Sequence, residues 1–247
     1  MRLVVLGTGG YHPNERRHTL CCALPEAGIV LDAGTSFFRL PQEMTGPIDI
    51  FLTHAHLDHV IGLTYYWSLS RGRELGPITV HGEAAKLDAV RTCMFSEHLF
   101  PKLPPYRFCP LPEEGRLETP SGVRVRWFPL NHPGGAVGYR LDWPDRSMAY
   151  VTDTIGEDHP AYLEAIAGVD LLLHECYLSD AHAELARTAG HTCTSQACRI
   201  AVQAGAKRLV LLHINPQDLS DDPIDIARAR EIFPNAEVAE DGSVYEF

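Results

Sequence analysis

Short runs of branched aliphatic and aromatic residues recur along the chain, and each breaks off at a glycine, an acidic residue or a histidine. "LVVLG", "GIVLDAG", "IDIFLTHAH", "ITVHG", "VRVRWFPLNH", "MAYVTDT", "DLLLHECY" and "RLVLLHINP" have the length and β-branched content of strands. Helical patterns fit between some of them. "AYLEAIAG" has a glycine stop, "CTSQACRIAVQAGA" begins near Thr194 or Ser195 and stops at Gly205, and "IDIARAREIF" follows Pro223. The strands precede mixed hairpins in the first half and alternate with helices in the second, which predicts buried sheets with helices on both outer sides. The stretch from 92 to 112, "TCMFSEHLFPKLPPYRFCPLP", holds five prolines among several aromatics. It reads as too irregular for a strand and too apolar for a solvated tail, and so as a loop or short helical cover over a pocket. No linker, repeat or low-complexity segment interrupts the chain, which predicts a single domain over residues 1–247.

Composition narrows the partners. No apolar run approaches the roughly 18 residues of a membrane span, and the run opening "MRLVVLG" is too short for a secretory signal. A cytoplasmic protein with no membrane partner is expected. Acidic residues number 32 against 21 basic ones, a net charge of −11. That balance disfavours a long nucleic acid, whose grip needs clustered Lys and Arg. A small phosphate ester remains allowed, because bound cations would dominate the local field. Seven cysteines without a C-x-x-C pair argue against a disulfide framework and for reduced, buried side chains. Alternation along a strand would send adjacent Cys21 and Cys22 to opposite faces.

"FLTHAHLDHV" carries the densest chemistry. His54 and His56 are two apart and point the same way in extended backbone, while Asp58 and His59 open a segment of helical character. Such a group can serve two metals a few ångströms apart; imidazole and carboxylate suit zinc, and also manganese or iron. A histidine-rich loop, or a helix cap at Asp58, is the plain alternative. Of the other histidines, His12 lies in a glycine-rich loop near the proposed site, and His18, His81, His98, His159 and His182 are assigned to surface or core.

With "THAHLDH" the chain resembles the metallo-β-lactamase superfamily over nearly its whole length. The resemblance implies an αββα four-layer sandwich with two divalent metal ions, zinc first. Later positions match in order: His132 in "FPLNHPGG", Asp153 in "YVTDT" and His213 in "LVLLHINP". It implies that His54, His56 and His132 hold one metal, that Asp58, His59 and His213 hold the other, and that Asp153 bridges. Two further stretches, "LLLHECYL" and "GHTCTSQA", resemble signatures of the ribonuclease Z branch. By that likeness His191, held by Glu175, acts on the phosphate or leaving oxygen; Asp58 could also orient the nucleophile, a metal-bridging hydroxide. Chemistry agrees: an alkoxide leaves poorly from phosphorus unless protonated, and a carboxylate partner supports a protonated imidazole.

One absence weighs against transfer RNA. Ribonuclease Z enzymes that process it carry a long arm between the residues matching His132 and Asp153, whereas "PGGAVGYRLDWPDRSMAYVT" has room only for a turn and two paired strands. In layout the chain is more similar to compact, arm-less cyclic phosphodiesterases of the phosphoribosyl 1,2-cyclic phosphate type. It departs from them in lacking a closely spaced cysteine triplet, with Pro216 in place of that site's histidine. The expected activity is hydrolysis of a small or cyclic phosphodiester, with a homodimer allowed. Alternatives are a tRNA 3′-end nuclease, a lactone, thioester or lactam hydrolase on the same fold, and a non-enzymatic metal-binding protein. "GLTYYWSL" places Tyr65, Tyr66 and Trp67 nearby, an aromatic run that reads first as core.

Overall fold

The computed structural model describes residues 1–112 and 115–247. Two seven-stranded sheets face one another. The first comprises β1 (Arg2–Gly7), β2 (Cys21–Leu24), β3 (Ile29–Leu31), β4 (Ile48–Phe51), β5 (Ile78–Glu83), β6 (Tyr106–Leu111) and β14 (Val244–Glu246), in the order 14-1-2-3-4-5-6. The second comprises β7 (Arg116–Glu118), β8 (Arg124–Leu130), β9 (Ala136–Asp142), β10 (Ser147–Val151), β11 (Leu171–Glu175), β12 (Leu209–Leu212) and β13 (Ala236–Val238), in the order 13-12-11-10-9-8-7. Each sheet is mixed: β3 to β6 run parallel, as do β10 to β13, and the remaining pairs are antiparallel.

Both faces of each sheet are covered, as the near-continuous apolar strands require. Leu3, Leu31 and Phe51 of the first sheet pack against Val125, Tyr139, Tyr150 and Leu173 of the second. Outside the first sheet lie α1 (Leu57–Val60), α2 (Tyr66–Leu69) and α3 (Ala84–Ala89); α4 (Ala183–Ala189) follows β11 in the chain. Outside the second lie α5 (Thr194–Ala204) and α6 (Ile226–Ile232), packed through Ala197, Ile200, Ala201 and Ala229. The result is the four-layer αββα order. Cys21 and Cys22 do face opposite sides of β2, one in the outer core and one in the central core. All seven cysteines are unpaired and five are buried, but Cys93 is exposed and Cys109 half-buried.

Two segments depart from expectation. "AYLEAIAG" forms successive turns, because its backbone hydrogen bonds mostly span three residues (Leu163 to Pro160, Ala165 to Tyr162, Ala167 to Glu164) before Gly168 turns left-handed at φ 66°. The 92–112 stretch ends in a strand, β6, paired residue for residue with β5 from Tyr106 to Leu111. Its Pro110 is tolerated because β6 is an edge strand, where a missing N–H need not break a ladder on both sides. Cys93, Met94, Leu99 and Phe100 of this stretch do line a cavity, but one beside the histidine cluster and not the cleft over it. Among the described residues no helix is long and apolar enough to cross a membrane.

Candidate metal centre

The sandwich delivers its polar groups at one rim. His54, His56, Asp58 and His59 follow β4, His132 follows β8, Asp153 follows β10, Glu175 ends β11 and His213 follows β12. Rigid strands up to the last residue fix where each side chain begins. Beyond them the backbone is forced: Asp153 and His213 adopt positive φ, 47° and 59°, as do Tyr11 (60°) and Asp32 (55°) beside them. Four non-glycine residues in that region around one site are strain that packing must hold.

Two sets of ligand-type atoms result. His54, His56, His132 and Asp153 offer atoms within 4.8 Å of one another, and so do Asp58, His59 and His213. Asp153 faces both. Its Oδ2 is 3.6 Å from His54 Nε2 and 3.5 Å from His132 Nε2, whereas its Oδ1 is 3.2 Å from the Nε2 of both His59 and His213. Asp58 Oδ2 lies 3.3 Å from His59 Nε2 and 3.5 Å from His213 Nε2. The seven residues expected as ligands thus lie together at this rim, and a third overlapping group joins Asp153 and His213 to His191.

The ring orientations fit a cation. His59 donates Nδ1–H to Asp32 Oδ2 at 2.9 Å, and His132 donates Nδ1–H to the Gly190 carbonyl at 2.9 Å. Thr53 gives its hydroxyl proton to Asp32, so the 3.0 Å contact between His54 Nδ1 and Thr53 Oγ1 must be donated by the imidazole. Each ring is then left with Nε2 facing inward, free to ligate when it carries no proton. Buried His54 Nε2 has no hydrogen-bond partner, and Nε2 of His59 faces Nε2 of His213 at 3.3 Å. An orphaned buried nitrogen and two facing ring nitrogens fit a shared metal ion.

Electrostatics agree. Burial depresses His54, His56 and His132, which keeps them neutral and able to ligate. Burial also works against charge on His59, yet Asp153, Asp58 and Asp32 push it well up. Burial would raise the carboxyls of Asp58 and Asp153, but the surrounding imidazoles hold both well below the usual carboxylate range. Buried Asp32 and Asp153, with half-buried Asp58, concentrate negative charge that demands positive charge nearby.

Beside the cluster, His191 Nδ1 lies 3.2 Å from Glu175 Oε1. Glu175 is fully buried and also accepts the backbone N–H groups of Thr154 (2.5 Å) and Thr192 (3.3 Å). The strand-end carboxylate thus faces inward, fully engaged. Burial lowers the affinity of His191 for a proton, but Glu175 overrides it and sets the imidazole at about 9. A ligand-type atom of His191 comes within 4.8 Å of Asp153 and His213. These groups floor an open cleft of about 590 Å³, whose walls include Tyr11, Leu57, Tyr177 and Gln217.

Several contributors escaped sequence reasoning. Asp32 accepts from Thr53 N–H (2.8 Å), Tyr150 Oη–H (2.8 Å) and His59; its signal was a carboxylate closing the apolar run "GIVLD". Asp32→Asn is expected to weaken metal affinity roughly 10- to 100-fold, as loss of a ligand-orienting carboxylate does. Competition against a chelating dye checks this, and unchanged affinity would deny Asp32 that role. Tyr11, not His12, reaches the cleft: its backbone N–H donates to Asp58 Oδ2 at 2.8 Å, while His12 is exposed and contacts the Pro13 carbonyl. Tyr177 stacks on His191 with ring centres 4.3 Å apart. Gly10 packs so closely that a Cβ there would sit 2.5 Å from His213 Cε1. Arg17 is buried against Thr8, the Ala239 carbonyl and Glu240, a structural role.

Comparison with known proteins settles the family. Residues 28–214 match the beta-lactamase superfamily domain. The chain belongs to the metallo-β-lactamase superfamily. It is 28% identical to ribonuclease BN of Erwinia tasmaniensis over 99% of both chains. That alignment runs over 304 positions, more than the 247 residues here, so the relative carries segments this chain lacks. Among solved structures, the short form of human tRNase Z superposes with a TM-score of 0.76 at 23% identity, covering 100% of this chain and 99% of that one. A diphosphatase from the PhnP family gives 0.74 at 21% identity, covering 100% and 98%. Both likenesses are of fold.

Proposed function

We propose that this protein is a metal-dependent phosphodiesterase acting on small or cyclic phosphodiesters. One observation carries the reading: His191, held by the buried Glu175, stands beside a double His/Asp cluster at the floor of an open cleft. His54, His56, His132 and Asp153 would hold one cation, and Asp58, His59 and His213 the other, with Asp153 shared. Zinc suits this nitrogen-rich set best, with manganese or iron as alternatives. Divalent cations there would supply an acidified water and positive charge against the phosphoryl oxygens. His191, charged by virtue of Glu175, donates a proton to the departing oxygen. Asp58, tethered by the Tyr11 backbone N–H, has an oxygen fixed near His59 and His213 and is placed to orient a nucleophile. A lactone or lactam would leave the His191–Glu175 pair with less to do.

Small substrates fit the architecture. β9 and β10 are joined by only Trp143–Arg146, so no arm projects between His132 and Asp153. The chain's net charge of −11 points the same way. The kinship with ribonucleases BN and Z supports tRNA 3′-end cleavage as a second reading. Metal-reconstituted protein assayed on cyclic and linear phosphodiesters, a lactone and precursor tRNA separates these. Turnover of small diesters above the others is expected. Preference for precursor tRNA at near-physiological salt would move the assignment to a nuclease, and preference for the lactone would remove the phosphorus chemistry. The protein is expected in the cytoplasm.

A further inference from the structure

A second cavity, about 590 Å³, lies against the catalytic cleft and shares Leu57 with it. The chain itself makes the partition. Leu57 stands between the proposed ligands His56 and Asp58, 66% exposed, on the boundary of the two spaces. Ala55, Val60, Leu99 and Phe100 also line it. Among the described residues no charged side chain lines this space, and its one hydroxyl, Thr64, is spent on the Ile61 carbonyl at 2.6 Å. A phosphate would find no charged partner here, and a sugar or base edge few polar ones. An aliphatic or aryl body would.

Resting on the phosphodiesterase reading, we infer that this cavity is a substrate subsite for an apolar ester group, so that the preferred diester carries an alkyl or aryl arm of several carbons. The phosphate sits over the histidine cluster, and the arm passes Leu57 into the cavity. The exposed apolar surface of Leu57 and of Leu99, 73% exposed, is then covered by substrate.

The test uses metal-loaded protein and p-nitrophenyl alkyl phosphate diesters from methyl to octyl, where nitrophenolate always leaves and only the arm varies. A fully buried methylene is worth up to about fourfold in affinity, so kcat/KM for octyl is expected to exceed that for methyl by tenfold or more. Leu99→Asp and Cys93→Glu, both at exposed positions, are expected to bring the octyl-to-methyl ratio toward one. If the methyl diester is turned over and chain length has no effect, the subsite is wrong and the phosphodiesterase reading stands. If no diester is turned over, that reading fails. Calorimetry then decides the subsite alone: octylphosphonate binding at least tenfold tighter than methylphosphonate supports it, and equal binding overturns it. A dimer dissociated by Leu99→Asp, with no chain-length preference, would assign the surface to a second copy and overturn the inference.

Discussion

Asp153→Ala is expected to lower turnover of any phosphodiester by at least about a thousandfold and to leave fewer than two metal equivalents per chain. The reason is geometric. One carboxylate presents Oδ1 to His59 and His213 and Oδ2 to His54 and His132, so a single deletion takes a ligand from both sets at once. No neighbour can replace it, because the position is reached only through the positive φ after β10. Asp153→Asn, with the same shape and no charge, is expected to fail nearly as badly, which separates lost ligation from lost packing. Elemental analysis and steady-state rates on the same preparations check both. Activity within tenfold of the parent, with full metal content, would deny Asp153 its bridging place.

The second large effect belongs to His191. His191→Ala is expected to keep its metals, since the seven expected ligands do not include it and it joins only the third group, with Asp153 and His213. Turnover should fall by roughly 10²–10⁴ on diesters with alkoxide leaving groups, the range for a lost general acid. With nitrophenolate, which departs without a proton, the loss should be much smaller. Glu175→Gln should follow the same pattern more weakly, because the imidazole remains but loses the carboxylate that charges it. Rates across a leaving-group series give the slope. An equal loss for good and poor leaving groups would remove the proton-donor role and leave His191 as a positioning or binding residue.

Some of this was written in the chain order. The runs that became β4, β8, β10, β11 and β12 announce themselves by their apolar residues, and each ends in or leads into a candidate site residue. Cys21 and Cys22 fell on opposite faces of β2, as alternation demands. "THAHLDH" by itself offered four ligand candidates; the resemblance it carries implied His132, Asp153 and His213 and the division into two sets. Weak patterns misled. "AYLEAIAG" has helical spacing but folds as turns, and residues 106–111 of the proline-rich 92–112 stretch found an edge where β5 could pair them.

The motifs, with the resemblance they carry, therefore indicated which strands end in candidate ligands and which chemistry those groups favour. Folding in three dimensions decided what no spacing could express: that Asp32, Thr53 and the Gly190 carbonyl orient the rings, that Glu175 is buried, and that Tyr11 outranks His12. It also opened the apolar cavity behind Leu57. The division has a physical cause. Periodicity reports on a residue and its near neighbours, whereas hydrogen bonds between residues such as Asp32 and Tyr150 exist only after two sheets have packed.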